Sequence, residues 1–314
     1  SSNIVTNISR MFTSVILVVL CSLVNGHNSN NLITYKLMFS DFYPTQKLSG
    51  NVINVDNNNI SAVSVLENLP ELRKDMLNIT YLHFLCISNV NLQYMEEGVF
   101  DNQNITVISL VGNKLAEIQP RIFDNLPIIC LDLSGNVINF IEKGAFRNML
   151  RLRQLILSRN KLTQISSSYF DNTPHIQYFD VSSNGITKIE EGSFSFLSDE
   201  DLLIIIDDNA VEEIHPRGFE NLNIMQLSLC KNSIRDVPVE LFTNNKIGML
   251  QLDSNQVEEF PDIFCEEINS TVKTVTMYDN PLQCETVENL IDSAGKSGAF
   301  CFLDEDRVAK CRQN

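Results

Sequence analysis

Apolar residues recur along most of this chain in one short pattern, not in helical stripes. Two apolar positions flank a single variable residue, and an asparagine follows three residues after the second. Asparagine stands at Asn113, Asn136, Asn160, Asn184, Asn209, Asn232, Asn255 and Asn280, at spacings of 23 to 25 residues. Five residues before each stands an apolar residue, as in Ile108, Leu131 and Leu155, and three before another, as in Leu110, Leu133 and Leu157. Two after comes a third, as in Leu115, Ile138 and Leu162. Ten after comes a phenylalanine at Phe123, Phe146, Phe170, Phe194, Phe219 and Phe242. Alternating inward positions over so few residues predict a short strand with one face buried, stopped at the asparagine. An earlier unit, LHFLCISNVNLQYMEEGVF, fits the frame with Val90 in the asparagine slot, and a degenerate one, VINVDNNNISAVSVLENL, precedes it.

Short identical strands bury their apolar faces only by stacking on copies of themselves. The frame LxxLxLxxNxLxxIxxxxFxxLxx resembles the extracellular, 24-residue type of the leucine-rich repeat family from about Ile53 to Leu282. The resemblance implies an α/β repeat solenoid: a horseshoe with a parallel β-sheet on its concave face and a cysteine-containing C-terminal cap. The asparagine amide is then expected to satisfy loop backbone groups, and the phenylalanines to form an interior spine. One unit breaks rhythm. In SDEDLLIIIDDNAVEEI, Asp201 takes an apolar slot, so the strand starts late at Leu202 or the rung bulges. The acids Asp199, Glu200, Asp201, Asp207 and Asp208 fall on opposite ends of that strand, a poor arrangement for sharing a cation.

The flanks suggest export. MFTSVILVVLCSLVNG, Met11 to Gly26, reads as a secretory signal peptide cut near Gly26–His27. Ser1 to Arg10 precede it, either as protein or as upstream translated sequence. The predicted organisation is 1–26 upstream residues and signal, 27–81 an N-terminal flank with a degenerate first repeat, 82–282 the repeats, and 283–314 the C-terminal cap. No second long apolar run follows, so no membrane span is expected in the mature chain. The flank 27–81 lacks cysteine, so a non-covalent strand or hairpin must cover that end. In the family's terms NPLQC opens the C-terminal cap. Cys265, Cys284, Cys301 and Cys311 are then expected to form two bridges, Cys284–Cys311 and Cys265–Cys301 being preferred, with a short helix over ETVENLIDSAGKSG. Sequons at Asn59, Asn78, Asn104 and Asn269 mark expected glycosylation sites.

Three further cysteines, Cys86, Cys130 and Cys230, fall in outward strand slots. Rungs lie about 4.8 Å apart, and Cys86 and Cys130 stand two rungs apart, too far for a disulfide. They are free thiols, or one is bonded to another chain. His83 near Cys86 suggests a nucleophile pair, but an open sheet offers no pocket, so a hydrolase is the remote alternative. No metal-ligand spacing, phosphate loop or nucleophile motif occurs, and no cofactor is expected. The net charge of −16 argues against nucleic-acid binding.

The outward rows of the sheet are the expected working surface. Phe84, Ile156, Tyr178, Leu203, Ile205, Met249 and Tyr278 are apolar or aromatic where water is expected, and Asp132, Asp180, Asp207 and Asp253 form an acidic stripe beside them. Such a face suits a protein ligand, a basic one above all. The signal, repeats and cysteines also resemble insect secreted leucine-rich immune proteins, although no coiled coil follows Cys311. That resemblance implies innate immune recognition. A cell-adhesion or receptor-ectodomain role in development is the alternative.

Overall fold

In the computed structural model the described residues are 45–48, 53–55, 62–65, 68–198, 200–261, 272–297 and 300–312. Each repeat lends one short strand to a parallel sheet of twelve, whose spatial order is the chain order. The strands are β1 (Thr45–Leu48), β2 (Ala62–Val65), β3 (Leu82–Cys86), β4 (Ile105–Ser109), β5 (Cys130–Asp132) and β6 (Gln154–Ile156). They continue as β7 (Tyr178–Asp180), β8 (Leu202–Ile205), β9 (Asn223–Ser228), β10 (Lys246–Gln251), β11 (Thr274–Thr276) and β12 (Phe300–Phe302). The sheet therefore begins two strands before the first clear repeat. At that end β1 lies beside β2 as a parallel strand.

Inward residues carry the core. Ile108, Leu131, Leu155, Ile204, Leu227 and Leu250 are fully buried, as are Phe100, Phe123, Phe146 and Phe194 behind them. The phenylalanine spine is continuous at its start, with Phe100–Phe123 and Phe123–Phe146 ring centroids 5.7 and 6.2 Å apart. Between Phe170 and Phe194 it runs instead through Phe196 and Phe179. Turns and two-residue strand pairs, such as Glu117–Ile118 with Phe140–Ile141, make up much of the convex side. Among the described residues the α-helices are α1 (Glu240–Thr243), α2 (Cys284–Ser297) and α3 (Glu305–Cys311).

The asparagine ladder ties each rung to the one before. The Asn160 Nδ2 donates to Leu133 O and Leu157 O at 3.0 and 2.9 Å, and its Oδ1 accepts from Ile138 N at 3.0 Å. Asn136, Asn232 and Asn255 repeat this set. The turn that aims each amide inward needs a left-handed residue just before it. Gly112 and Gly135 supply it freely, whereas Arg159, Ser183, Asp208, Lys231, Ser254 and Asp279 adopt φ of 53 to 58°. Each non-glycine there costs on the order of 1 kcal/mol. The amide's buried bonds offset that cost.

The irregular unit does both things its sequence allowed. The strand starts at Leu202, Asp201 turns at φ 60°, and the register slips between Leu202 and Leu203, where β9 carries an extra residue at Met225. Asp199 lies outside the described residues. At the C-terminal end α2 occupies the expected helical stretch, and Cys284 bonds to Cys311 with Cα atoms 5.1 Å apart. Cys265 lies outside the described residues, so its expected bridge to Cys301 does too. Cys301 sits mid-strand in β12, beside Val275.

Asn160→Ala should leave the carbonyls of Leu133 and Leu157 and the amide of Ile138 buried without a partner. Each such group costs about 1–3 kcal/mol, so urea unfolding should show a loss of about 3 kcal/mol or more. A loss below about 1 kcal/mol would mean that the ladder is not what joins the rungs.

Candidate functional site

Strand register sorts the outward residues into rows across the sheet. One row runs Ala62, Phe84, Val107, Cys130, Gln154, Tyr178, Leu203, Gln226, Met249, Thr274 and Phe300. The next runs Ser64, Cys86, Ser109, Asp132, Ile156, Asp180, Ile205, Ser228, Gln251, Thr276 and Phe302. A third, past the strand ends, includes Asp207, Cys230, Asp253 and Tyr278, joined by backbone bonds such as Asp208 N to Cys230 O. The sequence frame gave these rows from Phe84 and Cys86 to Thr274 and Thr276, but not Ala62 and Ser64 at one end or Phe300 and Phe302 at the other. Those two follow the last repeat, where the frame no longer applies, and the FCF alternation around Cys301 was their only signal.

The two halves of this face differ in exposure, and here four expectations need correction. Phe84, Asp132 and Ile156 were expected at the surface, yet they are 3, 1 and 3% exposed. Cys130, expected to point to water, is 5% exposed. The reason is local packing: Ala62, Phe84, Val107, Cys130 and Ile156 form a second apolar cluster, separate from the main core, with Cys86 and Tyr178 against it. From β7 onward the face opens. Tyr178, Asp180, Leu203, Ile205, Asp207, Met249 and Asp253 are half-buried. Tyr278, Phe300 and Phe302 are 41, 63 and 44% exposed.

The carboxylates are held in place by their own neighbours. Ser134 N donates to Asp132 Oδ1 and Ser182 N to Asp180 Oδ1, at 3.0 and 2.9 Å. Asp207 Oδ1 accepts from Ser228 Oγ and Cys230 N, and Asp253 accepts from Thr276 Oγ1 and Tyr278 N, all within 2.8 Å. Asp132 Oδ2 is buried without a hydrogen-bond partner. Burial pushes the Asp132 carboxyl up to about 6, against the pull of the Ser134 bonds. Burial also raises Asp180 and Asp207 above the usual carboxylate range.

Nothing here activates a thiol. Cys86 donates to Ser88 Oγ at 3.3 Å, and burial raises its pKa. Burial likewise pushes Cys230 up to about 11, reinforced by Asp207 and Asp253, and raises Cys130 further still. A nucleophilic or metal-binding cysteine needs the opposite shift. Burial lowers the His83 pKa. Among the described residues no group of three or more His, Cys, Asp or Glu is arranged to hold a metal ion. Of the three outward thiols, Cys130 is too deep to reach a second chain, while Cys86 and Cys230 are half-buried. Asn78 and Asn104 are exposed, and Asn59 and Asn269 lie outside the described residues.

A parallel sheet built of repeated single strands, with an asparagine closing each rung, defines a leucine-rich repeat protein. The family model of the BspA-type leucine-rich repeat region matches residues 54–130, 72–200, 116–248 and 183–283 in overlapping stretches, and the chain belongs to this family. Mouse (Mus musculus) keratocan is 32% identical over 126 residues, covering 39% of this chain and 34% of keratocan. Chicken (Gallus gallus) Tsukushi is 26% identical over 212 residues, covering 66% of this chain and 56% of Tsukushi. Human Toll-like receptor 8 is 30% identical over 115 residues, covering 36% of this chain and 10% of the receptor. The match thus spans about a third of the length of keratocan. The fold is shared with the mouse RP105/MD-1 complex at a TM-score of 0.57 and 17% identity, over 83% of this chain and 50% of that one. It is also shared with the octameric complex of Latrophilin 3, Unc5D and FLRT2 at 0.56 and 19%, over 78% and 76%. Among the described residues no helix is long and apolar enough to cross a membrane.

Asp132 gives the fold a pH signature. Its carboxyl ionises near 3.8 when unfolded and near 6 when folded, so folding takes up a proton between those values. Stability from this group is greatest below about 3.8 and falls as pH rises through 6. Between about pH 4 and about pH 7.5, wild type should lose about 2 kcal/mol more than Asp132→Asn in urea unfolding. Equal slopes for the two proteins would refute the raised carboxyl.

Proposed function

We propose that this chain is an extracellular protein-binding module that takes its ligand on the C-terminal half of the concave face. The observation that carries the reading is the exposure gradient along one continuous sheet. Solvent reaches Tyr278, Phe300 and Phe302 and half-reaches Tyr178, Leu203 and Met249. Aromatic side chains are the usual anchors of protein interfaces, because they bury much area at little entropic cost. Fixed carboxylates at Asp180, Asp207 and Asp253 lie among them, and they favour a ligand with a basic surface.

Export is supported by the apolar leader Met11–Gly26, the Cys284–Cys311 bridge and the exposed sequons at Asn78 and Asn104. Within that setting we favour innate immune recognition, on the partial likeness to Toll-like receptor 8. Half-buried Cys230 and Cys86 are the thiols through which a partner chain would be disulfide-linked.

Affinity capture from the native extracellular fluid, with eluates run with and without reductant, identifies the ligand and any covalent partner. Binding of that ligand is then measured against the double variant Tyr178→Ala/Asp180→Asn. A loss of about tenfold or more is expected, with the thermal midpoint nearly unchanged because both side chains lie outside the main core. Undiminished binding would refute the concave-face assignment.

A further inference from the structure

Apolar surface also stays in water along the edge where the strands begin. Tyr81 is 48% exposed and Ile129 39%. Tyr81, Asn104 and Pro127 stand at one frame position, nine residues before the asparagine slot, on the rungs of β3, β4 and β5. The register is tied there by Leu82 N donating to Asn104 O at 2.9 Å and Ile129 N to Thr106 O at 2.7 Å. Rungs lie about 4.8 Å apart, so Asn104 stands with Tyr81 on one side and Pro127 on the other.

Asn104 is exposed, and its side-chain amide makes no hydrogen bond among the described residues. The amide before it is used differently: Gln103 Oε1 accepts from Ile79 N at 2.7 Å, and Gln103 Nε2 donates to Asp101 O at 3.1 Å. Asn104 opens Asn-Ile-Thr, the acceptor sequence for an N-linked glycan. A pyranose presents one face of C–H groups, and such groups are drawn to the electron-rich face of an aromatic ring. This flank therefore sets an unused acceptor amide one rung from an uncovered aromatic ring.

We propose that Asn104 carries an N-linked glycan whose first N-acetylglucosamine packs on the Tyr81 ring. The site rests on the export proposed above, because this modification belongs to the secretory pathway. The transferase moves an oligosaccharide from a polyprenyl diphosphate to Asn104 Nδ2. A C1–N bond forms, the C1–O bond to the diphosphate breaks, and the amide nitrogen gives up one proton as the lipid diphosphate leaves. Ile105, the middle residue of the acceptor, is fully buried in the folded protein, so transfer precedes the closing of this rung and the sugar is present when Tyr81 takes its place. Bulky and hydrated beyond its first sugar, the glycan stands along the edge where β3, β4 and β5 begin and bars a partner from that side. A ligand is left with the part of the sheet from β7 onward.

The full chain, produced in cultured eukaryotic cells and collected from the medium, tests both parts. Glycopeptide mass spectrometry should find Asn104 occupied. A secreted chain with bare Asn104 would overturn the proposal and leave export standing, whereas a chain retained in the cell would sink both. Packing is read from thermal midpoints. In the glycosylated chain Tyr81→Ala should lower the midpoint by about 2 °C or more, and in the Asn104→Gln background by less than about 1 °C. The Tyr81→Ala loss should persist in Asn78→Gln, which removes the other exposed acceptor. Equal losses with and without the Asn104 glycan would mean that Tyr81 packs only on protein, and the proposal would fall. Should Asn104→Gln not be secreted, the glycan is cut from the folded wild type and from Tyr81→Ala by a glycopeptide amidase, and the same two losses are compared.

Discussion

The buried asparagine amide is the constraint on which the rest of this molecule depends. A strand of three to six residues followed by a sharp turn leaves carbonyls and amides that water cannot reach once the next rung is in place. From Asn113 to Asn280 one side chain per turn, with two donors and one acceptor, resolves this by bonding its own rung and the preceding one, as at Asn160. Because the bonds cross between rungs, no repeat is complete without its neighbour, and stability accrues along the stack. The amide also explains the left-handed residues before it. Arg159, Ser183 and Lys231 hold a conformation that only glycine adopts cheaply, and no side chain other than asparagine repays it at all the following positions.

Once the interior is fixed by the amide and the apolar positions, the outward residues are free to vary, and the chain has used that freedom unevenly. On β2 to β6 the outward rows are mostly small or apolar, and Ala62, Phe84, Val107, Cys130 and Ile156 pack into a second cluster beside the buried Asp132 and Gln154. From β7 to β12 they mix aromatics, aliphatics and carboxylates that stay within reach of water. The change falls at Tyr178, which packs against the first group while belonging to the second. One sheet thus carries two chemically different surfaces, and only the second is open.

The fold was legible because the repeat frame states which residues face in, and a period of two leaves no ambiguity within so short a strand. The same frame placed the outward rows correctly, including the acids. Exposure was not legible. Register gives direction, not burial, and Cys130 shows the gap: it does point away from the core, as its position before the inward Leu131 requires, and it is still buried. It packs in a cluster with Phe84, Val107 and Ile156, outward residues whose size the repeat frame does not dictate. Phe300 and Phe302 were missed for a related reason. They join the sheet after the repeats have ended, through a strand that follows α2 rather than an asparagine turn.

The spacing of the acids is the last feature the stack explains. Carboxylates in one row on adjacent rungs would stand about 5 Å apart and repel strongly. Asp132 and Asp180 instead share a row two rungs apart, with Ile156 between them, and Asp207 and Asp253 share the next row with Cys230 between them. Two rungs is about 10 Å, roughly one screening length in dilute salt. On neighbouring rungs the acids meet diagonally, Asp180 with Asp207: burial raises both carboxyls, Asp207 adds to the rise at Asp180, and Asp253 adds to that at Asp207. Both carboxylates already accept hydrogen bonds from the protein, so they cannot swing apart to relieve the repulsion. A lysine or arginine set between them would relieve it directly. On the function proposed above, that diagonal pair is where a preference for a basic ligand would arise.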